Sequence, residues 1–133
     1  MIHIKPDAGN PLFVIDLKKR TPIYEQIIDN YVECIITGQL VKDQKVPSVR
    51  ELAKQLTINP NTVQKAYVEL TERGFFYVQL NRGNFVAELT PELKKQRTDL
   101  LYQQLQPIAL DLLKIGESKA TIKEFIDQIG AFT

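Results

Sequence analysis

The segment 46–67 holds two short amphipathic helix patterns separated by a turn of only a few residues. In each pattern, apolar residues recur at steps of three and four, which places them on one face of a helix. The first face contains Val49, Leu52, Ala53 and Leu56, and the second contains Val63, Ala66, Tyr67 and Leu70. Two such helices joined by a tight turn predict a helix-turn-helix, whose second helix can enter the major groove of DNA.

Polar residues at both predicted helix starts can bind the first backbone N–H groups of each helix. Ser48 stands three residues before Glu51, which is the spacing of a capping box. Asn59 followed by Pro60 matches an N-cap and a first-turn proline. These caps predict where each helix begins.

The outward positions near the start of the second helix carry Asn61, Thr62, Gln64 and Lys65. Asn and Gln amides can pair with adenine through two hydrogen bonds, while a Thr hydroxyl can donate or accept one. A polar helix on its own is most often an ordinary surface helix. The residues that follow favour DNA binding instead.

After Gly74, which suits a helix C-cap, the sequence changes to β-prone runs at 75–78 and 85–87. They flank a turn cluster, 80–84, whose glycine can adopt a positive φ. A hairpin directly after a helix-turn-helix is typical of a wing. Its tip carries Asn81, Arg82 and Asn84, which could contact phosphates or enter the minor groove, although most such tips are solvated turns.

The order of these motifs resembles the winged-helix domain of the GntR superfamily of bacterial transcription regulators. The matching stretches are 21–27, 38–40, 46–53, 59–67 and the glycine-containing segment that ends at Val86. The NPNTV form of the second helix, joined to a short helical tail, is most similar to the YtrA-type subgroup. The resemblance implies that Arg50 contacts DNA and that Gly83 is the wing glycine. The predicted DNA-binding set is Ser48, Arg50, Asn59, Asn61, Thr62, Gln64, Lys65, Asn81, Arg82 and Gly83.

Charge is distributed unevenly although the net charge is only +1. From Lys45 to Lys65 there are four cations against Glu51 alone, whereas the residues after Thr90 hold six of each sign. This local excess predicts a basic face and salt-dependent binding. Lys18, Lys19 and Arg20 form a further cluster, interpreted either as a solvated charge run or as residues near the DNA backbone.

A single cysteine and a single histidine argue against several other chemistries. One cysteine cannot form an intrachain disulfide, which suits a reducing cytoplasm, and Cys34 fits a buried small apolar residue. The sequence contains no motif for a metal, a nucleotide cofactor or a catalytic triad, and no apolar span of membrane length. We therefore expect a cytoplasmic protein with no cofactor and no enzymatic activity.

The N-terminal region is expected to be an arm, residues 1–20. Within it, 1–10 fit a loose terminus and 12–17 a short strand. The first helix is predicted from Pro22 to Gly38, with Thr21 as its cap and Pro22 at the first helical position. Together with the helix-turn-helix and the wing, this helix forms the predicted DNA-binding domain, residues 21–88.

The C-terminal segment 89–133 predicts two more helices. The first is capped at Thr90 and ends at Gly116, with a kink or a short break expected at Pro107; the second is capped at Ser118 and runs through Ile129. Their apolar residues exceed what two short helices can bury between themselves. We interpret the segment as a dimerisation element, with packing back onto the winged helix as the alternative.

The sequence therefore predicts a mainly α fold with a small β-wing, in which a winged helix-turn-helix precedes a two-helix dimerisation element. The preferred function is a homodimeric repressor that binds a double-stranded, inverted-repeat operator. The alternatives are a winged-helix protein-interaction module without sequence-specific DNA binding, and a small-molecule-binding enzyme or sensor. The existence of a small-molecule effector, the operator sequence and the regulated genes stay open.

Overall fold

Short antiparallel hairpins precede and follow a group of three helices, and two further helices end the chain. The computed structural model describes residues 2–4 and 13–130. The elements in chain order are β1 (Ile2–Ile4), β2 (Phe13–Ile15), α1 (Ile23–Ile36), α2 (Val49–Leu56), α3 (Pro60–Glu72), β3 (Phe76–Gln79), β4 (Gly83–Val86), α4 (Pro91–Ile115) and α5 (Lys119–Gly130). The chain divides into two compact units, the first ending at Leu93 and the second beginning at Lys94.

The division falls five residues beyond the predicted boundary at 88/89, because the first turn of α4 still belongs to the core of the first unit. Leu93 is buried there and packs with the other core residues. A Cβ placed on Gly74 would lie 3.8 Å from Cδ1 of Leu93, which is ordinary van der Waals contact. The start of α4 is therefore fixed to the helix-turn-helix.

The core of the first unit lies between α1, α2 and α3 and includes the start of β3. The rings of Tyr31, Tyr67 and Phe76 meet edge to face, with centroid separations of 4.9, 5.3 and 5.7 Å. Each such pair contributes roughly 0.5–1.5 kcal/mol beyond the area it buries. These three aromatic residues thus fix the position of α3 against α1 and the wing.

A hydrogen-bonded chain runs through the same cluster. The hydroxyl of Tyr67 donates to the carbonyl oxygen of Pro47 at 2.7 Å and lies 2.8 Å from the hydroxyl of Tyr31. Since a carbonyl can only accept and Tyr67 has one hydroxyl proton, Tyr31 must donate to Tyr67. The chain ties α1 and α3 to the residue directly before the Ser48 cap of α2.

Helix α1 begins one residue later than predicted. Its N-cap residue is Pro22, with φ −54° and ψ 149°, and no side chain caps it. The predicted Thr21 cap is wrong, because Pro22 itself takes the extended N-cap position and the helix begins one residue beyond it. The backbone carbonyl of Thr21 instead accepts a hydrogen bond from Nε2 of Gln26 at 2.8 Å.

The N-terminal region contains a strand that was not expected. Ile2–Ile4 pairs antiparallel with Phe13–Ile15, so the expectation of a loose terminus over 1–10 is wrong for residues 2–4. Residues 1 and 5–10, for which a loose terminus was also expected, lie outside the described residues, as does residue 12 of the predicted strand. The side-chain amide of Asn30 pairs with the backbone of Val14, which joins β2 to α1.

The wing is a hairpin whose strands are shifted from the predicted runs. β3 and β4 pair from Phe76↔Val86 to Gln79↔Gly83, which leaves residues 80–82 as the loop. Gly83 and Asn84 therefore belong to a strand, because a positive φ of 65° at Asn81 already turns the chain. Phe75 and Ala87 lie outside the strands, and the carbonyl of Phe75 accepts from the N–H of Ala87 at 2.9 Å.

The segment between α1 and α2 pairs with the outer side of β4. The N–H of Asp43 donates to Val86, Val86 donates to Gln44, and Val46 donates to Asn84, at 2.8, 2.9 and 3.0 Å. β4 consequently has hydrogen-bonded neighbours on both sides. This pairing fixes the wing to the chain just before α2.

In the second unit, α4 is one helix of 25 residues that continues through Pro107. Of the expected kink or short break at Pro107, the break is therefore absent. Leu, Gln and Ala residues on either side favour the helix, which limits the effect of a single lost backbone hydrogen bond. The predicted caps are confirmed. Thr90 Oγ1 accepts from the N–H of Leu93 at 3.3 Å, and Ser118 Oγ accepts from the N–H of Thr121 at 3.1 Å.

Candidate DNA interface

The start of α2 carries the first two predicted DNA-binding residues. Ser48 is the N-cap, and its Oγ accepts from the N–H of Glu51 at 3.1 Å. The serine hydroxyl keeps its own proton for donation to an outside acceptor such as a phosphate oxygen. Arg50 is the second residue of α2, and its side chain is exposed.

The start of α3 presents the predicted base-reading residues. Asn59 is the N-cap, and its Oδ1 accepts from the N–H of Asn61 at 2.8 Å, so this oxygen serves the helix start. Asn61 and Gln64 are exposed and Thr62 is half-buried, while Val63 between them is fully buried. The helix therefore turns two amides and a hydroxyl outward from its first turn and a half.

The turn between α2 and α3 adopts an unusual backbone conformation. Thr57 has φ 57° and ψ 49°, in the left-handed region that β-branched residues rarely adopt. The N–H of Thr57 donates to Lys54 at 3.3 Å, and that of Ile58 donates to Ala53 at 3.0 Å. These bonds end α2 and direct the chain into the Asn59 cap.

Lys65 projects toward α1. Its Nζ lies 3.9 Å from the centroid of the Tyr24 ring, where a cation is attracted to the face of the aromatic system. Gln64, one position earlier, lines a groove of about 320 Å³ that includes Val78 and Asn84 of the wing. The two neighbouring side chains thus lie on opposite flanks of the exposed surface of α3.

The wing carries the remaining predicted residues. Asn81 and Arg82 are exposed in the hairpin loop. Gly83 has φ 117°, and a Cβ placed there would lie 3.3 Å from Cε of Lys45, which packs over the strand. Lys45 is thereby held on the wing.

Two contacts of this surface were not predicted, because both join residues that are distant in sequence. Tyr24 was not among the predicted site residues, and nothing in the sequence signals that its ring lies under Lys65. Lys45 contributed to the predicted basic face, but its position on the wing depends on the pairing with β4. Thr57 carried no signal, because glycine or asparagine is the usual residue at a positive φ.

The titratable groups buried behind this surface stay neutral. Burial raises the pKa of the Cys34 thiol to about 11, and its Sγ donates to Oε1 of Gln39 at 3.6 Å. Burial also raises the pKa of Tyr67. Neither group offers a nucleophile at neutral pH.

Residues 2–4 and 13–130 contain no group of His, Cys, Asp and Glu side chains that could hold a metal ion. The helices in the same ranges include none with the length and apolar character needed to cross a membrane.

A family model described as bacterial regulatory proteins, gntR family, matches residues 23–86. The HTH-type transcriptional repressor YtrA of Bacillus subtilis (strain 168) is 36% identical over 118 residues, which span 88% of this chain and 91% of that protein. The chain belongs to the GntR family. The resemblance seen in the sequence is confirmed. The relatives of this GntR protein are transcriptional regulators, which also confirms that it is not an enzyme.

Solved structures support the same assignment. A transcriptional antiterminator from Listeria monocytogenes EGD-e superposes with a TM-score of 0.73 at 33% identity, covering 91% of each chain. The DNA-binding domain of AraR, solved in complex with operator ORX1, gives a TM-score of 0.51 at 28% identity and covers 56% of this chain and 96% of that domain. The predicted winged-helix fold class is confirmed, and the GntR chain is a DNA-binding transcriptional regulator.

Proposed function

We propose that this GntR-family regulator is a cytoplasmic, homodimeric repressor that binds an inverted-repeat operator and blocks transcription by occupying it. The observation that carries the proposal is the outward placement of Asn61, Thr62 and Gln64 at the capped start of α3. A helix-turn-helix reads base edges from this end of its second helix. B. subtilis YtrA, which this chain resembles over most of its length, is a repressor.

Within this proposal, the amides of Asn61 and Gln64 read bases, since each can form two hydrogen bonds with one adenine. The hydroxyl of Thr62 adds a donor or an acceptor on the same surface. Gln64 lies nearest the wing, because it shares a groove with Asn84. Base reading is thus concentrated on three neutral side chains.

The charged and capping residues position the helix on the backbone. Arg50 and Ser48 at the start of α2 contact phosphates, and Lys65 contacts the backbone from the α1 side. At the wing tip, Arg82 and Asn81 reach the adjacent minor groove or its phosphates, while Gly83 allows the close approach of Lys45. Asn59 contributes mainly by starting the helix.

The dimer rests on the apolar surface of the second unit. Large side chains there are 38% to 80% exposed, a range set by Leu100 and Ile115. Contiguous exposed apolar surface marks an interaction site. A second copy of the chain is the partner that also doubles the number of bases read, which an inverted-repeat operator requires.

Selection of duplexes from a random pool by the full-length protein, followed by anisotropy titration, tests this function. The Gln64→Ala variant should lose about 1–3 kcal/mol of binding to the selected duplex and discriminate less at one base pair in each half-site. The matched control is Gln96→Ala, which truncates an exposed glutamine of α4. A protein-interaction module would enrich no duplex, and that result would overturn the proposal.

Symmetry and stoichiometry provide a separate check. The enriched duplexes should contain two inverted half-sites, and sedimentation should show two chains per duplex. A selected site with one half-site bound by one chain would retain DNA recognition but exclude the dimeric repressor.

A further inference from the structure

One buried amide fixes both ends of the turn that joins β2 to α1. Gln26 is only 5% exposed, and its Oε1 accepts from the N–H of Asp16 at 2.8 Å. Its Nε2 donates to the carbonyl of Asp16 at 3.0 Å and to that of Thr21 at 2.8 Å. The side chain therefore bridges the first and last residues of the turn.

Asp16 also orders the backbone inside the turn. Its Oδ1 accepts from the N–H of Lys18 at 3.0 Å, and its carbonyl accepts from the N–H of Lys19 at 3.3 Å. A polar side chain buried and paired in this way costs free energy to displace. The turn is accordingly held in one backbone conformation.

This turn presents three consecutive cations, Lys18, Lys19 and Arg20, and all three are exposed. Within the described ranges, an ion pair joins Lys95 to Asp99, and none joins a carboxylate to these three. We call residues 18–20 the basic turn. Its charges are available to an outside anion.

The basic turn directly precedes α1, the helix whose first turn contacts the DNA-reading helix α3. Tyr24, in the first turn of α1, holds Nζ of Lys65 at 3.9 Å from its ring centroid. Arg20 precedes Tyr24 by four residues, so their Cα atoms are separated by at most roughly 14 Å. Asn61 and Lys65 are one helical turn apart on α3. Because Tyr24 contacts Lys65, it lies next to the proposed base-reading surface.

The position of the turn relative to the groove follows from the two flanks of α3. Gln64 faces the wing, whereas Lys65 faces α1. A helix in the major groove, which is about 12 Å wide, has a phosphate backbone on either side. The wing accounts for one flank, and the start of α1, which the basic turn directly precedes, lies on the other.

We propose that the basic turn binds the DNA phosphate backbone on the flank of the recognition helix away from the wing, with Gln26 as its positioning residue. The proposal rests on the proposed DNA-binding function. Of the two interpretations of the basic turn, a solvated charge run or residues near the DNA backbone, it favours the second. Because phosphates carry no sequence information, the turn should raise affinity for every duplex by a similar factor.

The test compares full-length wild type with the triple variant Lys18→Gln, Lys19→Gln, Arg20→Gln on the selected operator and on a scrambled duplex. Each lost phosphate contact makes the slope of log affinity against log salt concentration less negative by about 0.9. We expect the slope to become less negative by roughly 2 to 3. Near physiological salt, binding to both duplexes should weaken roughly 10- to 100-fold. Ethylation interference should lose its signal at phosphates on one side of each half-site only.

The matched control is Lys114→Gln, Lys119→Gln, Lys123→Gln, which removes the same net charge from exposed positions of α4 and α5. A salt slope in the triple variant equal to that of this control would identify a solvated charge run and overturn the proposal. Failure of the wild type to bind any selected duplex would instead overturn the proposed function, and this proposal with it. Melting temperatures of both variants verify that each remains folded.

Discussion

The two units of the chain differ in where their apolar residues lie. In the first unit, the large side chains of α1, α2 and α3 meet in one core, with Ile15, Ile27 and Leu52 fully buried. In the second unit, the residues Lys119–Gly130 that form α5 include no buried side chain. Helix α4 buries only Leu93, and that residue belongs to the first unit. Similar amphipathic patterns thus have different outcomes, since a pattern specifies an apolar face but not its partner.

The first unit has a core of its own, and under the proposed dimer the second would gain stability through association. Obligate interfaces resemble a domain core cut in half. Changes to the first unit should therefore alter the free energy of unfolding, and changes to the exposed face of the second should alter assembly.

The Leu105→Asp variant should break the dimer. Leu105 is 44% exposed in the single chain, and a carboxylate at a subunit interface would be buried without a partner. We expect dimer dissociation to become easier by about 3 kcal/mol or more, measured by sedimentation equilibrium. Gln104→Asp adds the same charge at the neighbouring position and should have a smaller effect. An unchanged dimer in Leu105→Asp would mean that this face does not form the interface.

The Tyr67→Phe variant should destabilise the first unit while leaving the dimer intact. It removes the donor to the Pro47 carbonyl and the acceptor for Tyr31, so two buried polar groups lose a partner. The expected loss is about 1–3 kcal/mol in the free energy of unfolding, measured by urea titration. Tyr31→Phe is the matched control and should cost less, because Tyr67 can still donate to Pro47. Equal losses would contradict the assigned direction of the hydrogen-bonded chain.

The Thr57→Gly variant should stabilise the first unit. Thr57 occupies the left-handed region at φ 57°, where glycine is free of the steric cost of a β-branched side chain. The relief of strain in the folded state should outweigh the destabilising effect of a more flexible unfolded chain. The free energy of unfolding, measured by thermal unfolding, should therefore rise by roughly 0.5–1 kcal/mol. Thr98→Gly, in the interior of α4, should instead be destabilising. A loss of stability in Thr57→Gly would show that the turn depends on the threonine side chain.

Most features that depend on neighbouring residues were predictable from the sequence, the cap of α1 being the exception. The caps at Ser48, Asn59, Thr90 and Ser118 all form as predicted, because each needs only a polar side chain two or three residues before an N–H group. The same locality explains the correct order of the helix-turn-helix and the wing. The chemical types at the start of α3 were likewise readable without a structure.

Features that depend on distant residues were not predictable. The pairing of Asp43 and Val46 with β4, and the placement of Lys65 over Tyr24, join segments whose patterns carry no sign of each other. Pro107 shows a related difficulty. The free-energy cost of a proline inside a helix is known, but the sequence does not give the stability of the surrounding helix. Candidate residues of the interface could thus be proposed from the sequence, but the flanks of α3 on which Gln64 and Lys65 lie could not be predicted.

Cys34 provides the most sensitive check on the difference between the units. Burial raises the pKa of its thiol to about 11, above its usual value of 9.0, so folding favours the protonated form. The unfolded chain releases this proton at lower pH, and stability should therefore begin to fall as the pH rises above about 9, through the folded pKa near 11. At pH 8 the folded protein should react with a thiol reagent only when the first unit opens. Tyr67→Phe should therefore accelerate labelling in proportion to its loss of stability, whereas Leu105→Asp should leave the rate nearly unchanged. Acceleration of labelling by Leu105→Asp would show that dimer assembly stabilises the first unit as well.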